Sequence, residues 1–206
     1  MTQVVLLDKM GSDLSVVNSA RVSFSKVHTK FQDNDEKLIK YLATHNHWSP
    51  FGHCSIQFRI KAPVFVARQL VKHQVGLVWN EVSRRYVSDD PEFFIPFLWR
   101  EKHENKKQGS TETEVEYDIT PLIKKAKQMY QDMLDNNIAP ELARMILPQC
   151  MMTEWIWSGT LYAFARVCNL RNKDDAQKET REVTRDIAHH MKDQFPMSSK
   201  YLLDKE

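Results

Sequence analysis

A chain of 206 residues with 42% hydrophobic content can bury a core of ordinary size, and a net charge of +2 lacks the basic excess of a dedicated nucleic-acid binder. Cys54, Cys150 and Cys168 are an odd number without a repeated spacing, which argues against a disulfide framework, and no CxxC pair appears, which argues against zinc; no metal is expected. No apolar run reaches membrane-span length and the N-terminus has no basic start, so no membrane span or signal peptide is expected, and the place of action is expected to be the cytoplasm.

In chain order, "TQVVLLDKMGSD" reads as a strand that turns at Gly11, and "LSVVNSARVSFSK" fits helix or strand equally. "NDEKLIKYLATHNH" predicts a helix, capped by Asn34 or Asp35, with Leu38, Ile39 and Leu42 at helical spacing. "SPFGH" breaks it. "CSIQFRIKA" alternates Ile56, Phe58 and Ile60 against Gln57, Arg59 and Lys61, a strand with one wet face. Pro63 opens the helix "VFVARQLVKHQ", which breaks near Gly76. Residues 100–118, "REKHENKKQGSTETEVEYD", are polar and read as a loop or insertion. Helical segments are expected over 120–137, over 140–169 with a break, and over 173–194. The last follows the capping residues of "NKDD" and carries Ala176, Thr180, Val183, Ile187 and Met191 on one stripe. No repeat is visible, and the expectation is a single α+β domain over 1–206, helix-rich toward the C-terminus.

The chemistry concentrates in "RQLVKHQVGLVWNEVSRRY". On a helix, Arg68 with Lys72 and Gln69 with His73 would form two neighbouring columns, the ordinary solvated face of an amphipathic helix. Glu81, Ser83, Arg84 and Arg85 follow on irregular or extended backbone. Glutamate and serine can read a base or a sugar hydroxyl, and arginine forks onto phosphate, so the cluster points to a nucleotide pocket. Arg144, Arg166 and Arg171 lie in apolar helical surroundings, where an arginine needs a partner: Glu141, Glu154 or Glu179, or else an anionic ligand. His45, His47 and His53 fall close together without an acidic or cysteine partner to complete a metal set. His189 and His190 read as surface groups, and the cysteines as core residues.

These segments resemble the flavin-dependent thymidylate synthases. The family signature is Arg-His-Arg, two spacers, Ser, a spacer, Asn-Glu, a spacer, Ser, a spacer, Arg-Tyr. Here it corresponds to Lys72-His73-Gln74, then "VGLVW", then Asn80-Glu81, Ser83 and Arg85-Tyr86. The similarity extends collinearly through "MGSD", "ARVSFSK", "HNHWSPFGH", "KAPVFVARQ", "PELARMILP" and "NLRNKDDAQKETR". The chain departs from the family at both arginines flanking His73, at the signature serine, in one extra residue before Asn80, and at Gly52, where the family has glutamate.

The resemblance implies a small antiparallel sheet with several long helices, and an oligomer, a homotetramer, whose active sites draw on several subunits. It implies reductive methylation of dUMP, with methylene-tetrahydrofolate as carbon donor and FAD, recharged by NADPH, as hydride carrier. It places Gln69, Lys72, Glu81, Ser83, Arg84, Arg85, Arg144 and Arg171 at dUMP. Of these, Arg85 and Arg144 are assigned to the phosphate, and Arg171 to the pyrimidine, where it favours ionisation of N3 as the catalytic cation. It places His47, Ser49, Lys72, His73, Gln74, Glu81, Thr160, Tyr162 and Arg166 at the flavin. "LPQC" is similar to the nucleophile segment of the cysteine-dependent thymidylate synthases, but Cys150 has no histidine partner in sequence. The altered signature leaves competing readings, a dUMP hydroxymethylase and a nucleotide-binding module without catalysis, and the Arg84–Arg85 pair with Trp79 and Tyr86 as stacking groups offers a further one, an RNA-binding protein.

Overall fold

β1 (Gln3–Met10) and β2 (Ser55–Pro63) form an antiparallel pair, linked by α1 (Asp13–Arg21), α2 (Asp33–Thr44) and α3 (Ser49–Gly52). After β2 come α4 (Val64–Leu70), β3 (Leu77–Glu81), β4 (Trp99–Lys102) and β5 (Ser110–Val115). The chain continues through α5 (Thr120–Asp135), α6 (Pro140–Ala143), β6 (Met152–Thr160), α7 (Leu161–Arg171), α8 (Lys178–Gln194) and α9 (Pro196–Leu202). The structure is a computed structural model and describes residues 2–87, 89–104 and 109–204. The main sheet has the order β1-β2-β6-β3, antiparallel throughout, and β4 pairs with β5 in a separate hairpin. This is the expected α+β architecture.

β2 keeps the alternation read from its sequence. Ile56, Phe58 and Ile60 are buried, while Gln57 and Arg59 turn to the other face, where they meet Ser158 at 2.8 Å and Glu154 at 3.2 Å. β6 is the central strand, pairing with β2 on one side and β3 on the other. Its Trp155 and Trp157 are buried; Trp79 of β3 stacks on Trp155 with ring centres 4.3 Å apart. Phe164 of α7 meets Trp157 edge-on at 5.2 Å and Phe58 at 5.1 Å. Each such aromatic contributes about 2 kcal/mol by leaving water, so this cluster is a large part of the driving force. Val183, Ile187 and Met191 of α8 close the core, the stripe expected from sequence. α9 is tied to α1 by Asp13, which accepts from the Met197 and Ser198 backbone N–H groups at 2.9 and 2.8 Å and from the Ser198 hydroxyl at 2.6 Å.

Several expectations are corrected. The helix expected over 140–169 is replaced by α6, a 3-10 turn, β6 and α7. Trp155 and Trp157 alternate with Glu154, Ile156 and Ser158 at strand period, but the apolar Ile156 on the outer face hides the alternation. The polar loop expected over 100–118 holds the β4–β5 hairpin instead, because its polar strands pair with each other; residues 105–108 lie outside the described ones. α4 stops at Leu70, so Lys72 and His73 sit in the turn beyond it and not on a helix face. The first helix is settled as α1. α2 is entered from Gln32, whose backbone N–H donates to Asp35 at 3.0 Å, and α8 from Gln177 instead of the "NKDD" stretch.

Gly159 sits in β6 opposite Leu77. A Cβ there would come within 2.4 Å of a Leu77 methyl and 2.6 Å of the Gly76 carbonyl oxygen. Gly76 itself has φ +77°, and its carbonyl accepts from the Thr160 N–H at 3.0 Å. Gly159→Ala forces this turn away from β6 and is expected to cost about 1–3 kcal/mol, measured by urea denaturation. A cost below about 0.5 kcal/mol would show that the turn yields freely.

Candidate functional site

The polar segment spans a helix end, a turn and a strand, and this is how it brings so many hydrogen-bonding groups to the surface. Gln69 lies in the last turn of α4. Lys72, His73 and Gln74 occupy the turn that Gly76 completes, and Asn80 and Glu81 end β3. Arg171 ends α7, where a cation suits the negative end of the helix dipole.

Gln69 and Arg171 share a cavity of about 430 Å³. The Gln69 amide is held at both ends: its nitrogen donates to Gln177 Oε1 at 2.6 Å, and its oxygen accepts from the buried Thr180 hydroxyl at 3.2 Å. Arg171 Nε donates to His73 Nε2 at 3.0 Å, and Arg171 Nη2 reaches the Gln69 carbonyl at 3.4 Å. His73 therefore accepts at Nε2. Burial, then the cations of Arg171 and Arg166, hold its pKa below the ordinary histidine value, so the ring is neutral.

A second cavity, of about 450 Å³, is lined by Lys72, His73, Gln74 and Arg166. It also holds Lys173 and Asp204, which the sequence did not single out. A third, of about 490 Å³, brings together Glu81, Arg84 and Arg144. Glu81 is locked at the strand end, accepting from the Thr153 hydroxyl at 2.7 Å and from Trp79 Nε1 at 3.1 Å. Arg84 donates to the Asp89 carbonyl, and Arg144 Nε donates to the Glu141 carbonyl at 3.3 Å.

The remaining expected residues do not line these three cavities. Ser83 accepts from Arg85 Nε at 3.3 Å, and the exposed Arg85 lies over the Tyr86 ring at 4.9 Å. Thr160 caps α7, accepting from the Ala163 N–H at 3.1 Å. Tyr162, one turn before Arg166 on α7, faces Trp48 at 6.3 Å. His47 and Ser49 are exposed beside it. Gly52 gives Trp48 its seat: a Cβ there would stand 3.2 Å from the indole ring.

Arg144 and Arg166 are exposed, not buried as their apolar neighbours in sequence imply, because each projects outward from its helical turn. Of the expected acidic partners, Glu179 pairs with Arg100 at 2.8 Å and Glu154 with Arg59, so these carboxylates do not neutralise the site arginines. Arg100 and Ser110 of the hairpin and Gln177 line the cavity of Gln69 and Arg171. No sequence signal marked the hairpin residues, since their segment read as a loop.

Cys54 and Cys168 are core groups, as expected, whereas Cys150 is only half-buried. Burial raises the Cys54 thiol to about 11 and the Cys168 thiol to about 12, and raises Cys150 as well, so none is poised as a thiolate. His189 is exposed, as expected, whereas His190 is half-buried and reaches the Val4 carbonyl at 3.4 Å.

The family described as "Thymidylate synthase complementing protein" matches residues 5–197. A flavin-dependent thymidylate synthase of Thermus thermophilus is 37% identical over 199 residues, covering 95% of this chain and 73% of that one. That of Kosmotoga olearia is 36% identical over 206 residues, covering 97% and 89%. Among solved structures, a UMP/dUMP methylase, PolB from Streptomyces cacaoi, bound with 5-Br dUMP, superposes with a TM-score of 0.87 at 26% identity, covering 100% of this chain and 98% of that one. The same methylase bound with 5-Br UMP gives 0.82 at 25% identity.

Neutral His73 accepts from Arg171, so protonation would break the bond and set two cations face to face. Since its folded pKa is depressed, its contribution to stability is complete above about pH 6.5 and falls as pH drops below that value. His73→Gln is expected to flatten the fall in Tm between pH 7 and pH 5, measured by differential scanning calorimetry. An equal pH slope in the two proteins would refute this.

Proposed function

The chain belongs to the flavin-dependent thymidylate synthase family, and from that premise we propose that it converts dUMP to dTMP by reductive methylation. The observation that carries the proposal is Arg171. It lines the cavity of Gln69 and is hydrogen-bonded to His73, which lines the neighbouring basic cavity. One fixed cation is thus linked through His73 to a second ligand-sized space, the first suited to the pyrimidine and the second to the flavin.

The second cavity fits part of FAD. Lys72, Arg166 and Lys173 offer cations to a diphosphate, while Gln74 offers only a neutral amide. Its volume is small for a whole dinucleotide, and the chain has no GxGxxG fingerprint to hold one alone. Tyr162, Thr160, Ser49, His47 and Glu81 lie outside it, and Arg85 and Ser83 lie outside the Gln69 cavity. These separations support a homotetramer whose active sites close between copies of the chain.

When bound, reduced flavin, recharged by NADPH, supplies a hydride, and methylene-tetrahydrofolate supplies the carbon. Arg171 holds positive charge beside N3 of the pyrimidine and favours its ionised form. Gln69 presents an amide whose orientation Gln177 and Thr180 fix before substrate arrives. Arg144 and Arg85 are assigned to the phosphate, with Arg84, Ser83, Lys72 and Glu81 completing the nucleotide contacts. Neutral His73 keeps Arg171 in place without competing for its charge. No enzyme thiolate enters the reaction.

The test is the visible spectrum of the purified protein under anaerobic reduction with NADPH. A flavin absorbance that bleaches, and returns on adding methylene-tetrahydrofolate with dUMP, supports the proposal, and product analysis separates methyl from hydroxymethyl. UMP is run alongside, because the similar methylase is described with both nucleotides. A protein that stays colourless with added FAD refutes it in favour of a nucleotide-binding module. Arg171→Ala is expected to lower kcat by about 100-fold or more. Cys150→Ala is expected to keep turnover within about 2-fold, whereas a nucleophilic cysteine would lose nearly all of it.

A further inference from the structure

We infer that Arg100, on the β4–β5 hairpin, is a nucleotide-binding residue of this chain that donates to a carbonyl oxygen of the pyrimidine. The inference rests on the reading that the cavity of Gln69 and Arg171 is the base site.

Arg100 lines that cavity with Gln69 and Arg171. Its guanidinium is fixed twice: Nη2 donates to Glu179 Oε1 at 2.8 Å, and Nε donates to Ser110 Oγ at 2.7 Å. The Arg100 and Glu179 side chains are 18% and 7% exposed. Glu179 lies in the first turn of α8, beside Thr180 and just after Gln177, the two residues that orient Gln69. One helical turn therefore aims two groups into the same cavity.

The arrangement is more than a clamp for the hairpin requires. Withdrawing an arginine and a glutamate from water costs most of what their attraction returns, so a buried pair adds little net stability. What it does add is geometry. Two of the five guanidinium N–H groups serve Ser110 and Glu179, which leaves three for a ligand in the cavity that Arg100 lines.

Charge decides which part of the nucleotide is met. Glu179 balances Arg100, and Asp175 lies on the same cavity wall. Arg171, bonded to a neutral ring, is the cation left uncompensated by its partner. A phosphate beside Asp175 and a neutralised arginine would gain little. A carbonyl oxygen suits a directional, charge-balanced donor. Uracil carries carbonyls on both sides of N3, so with Arg171 at N3 an adjacent carbonyl falls to Arg100.

The experiment is calorimetric titration of the flavin-loaded enzyme with dUMP and with deoxyuridine, for the wild type and for Arg100→Lys, Arg100→Gln, Gln69→Ala and Arg171→Ala. Arg100→Lys keeps a cation for Glu179 and so preserves the hairpin, but loses the guanidinium fork. Both Arg100 variants are expected to weaken dUMP and deoxyuridine by the same factor, about 10- to 100-fold, with flavin content unchanged. Wild-type affinity in the Arg100 variants, with weakened binding in Gln69→Ala and Arg171→Ala, would make Arg100 a hairpin clamp and overturn the inference. So would a loss confined to dUMP, which marks a phosphate contact. If Gln69→Ala and Arg171→Ala also bind as the wild type does, the cavity is not the base site and the inference falls with that reading.

Discussion

Gly159 is the point on which fold and site depend together. It lies in the central strand, where the backbone of Gly76 and the side chain of Leu77 approach too closely to admit a Cβ. Only because that space is open can β3 pair with β6 from its first residue and the Gly76 carbonyl reach the Thr160 N–H. The turn holding Lys72, His73 and Gln74 is thereby laid against α7, which carries Arg166 and Arg171. The same strand contributes Trp155 and Trp157, so the largest buried side chains and the placement of the site are fixed by one element.

Electrostatics at the site work by arrangement more than by burial. Arg144, Arg166 and Arg171 are half-buried or exposed, and the two glutamates Glu179 and Glu154 that could have neutralised them are paired with Arg100 and Arg59. Arg171 is held by a neutral histidine and a backbone carbonyl, partners that fix its direction without cancelling its charge. The thiols are pushed the other way: burial keeps them protonated, which suits a chemistry that leaves the difficult steps to cofactors. The departures from the family signature fall in the basic cavity, where Lys72 and Arg166 remain as cations and Gln74 does not.

Much of the fold was legible from local pattern. β2, α2 and the apolar stripe of α8 follow from alternation or helical spacing, because each has one wet face and one dry face, and β1 was read from its short apolar run ending at Gly11. β6 was not legible, since a strand inside a sheet can carry apolar residues on both faces and then lacks the alternation that marks a half-exposed one. The hairpin was not legible for the opposite reason. Its strands satisfy their backbone groups with each other and have little apolar side to display. α4 ends earlier than its apolar residues suggest, because Gly76 must turn the chain back toward β6.

The sequence by itself determined which groups are available: the arginines, the Gln69–His73 segment, Glu81, and cysteines without a partner base. It also carried the family resemblance, through motifs whose order and spacing persist along the chain. What the tertiary structure decided is which groups meet. Gln69 finds Thr180 and Gln177, His73 finds Arg171, and Arg100 finds Glu179, each across a long stretch of chain. Residue type sets what a side chain can donate or accept, but a hydrogen bond needs its partner within about 3 Å, and that distance is set by how the strands and helices pack.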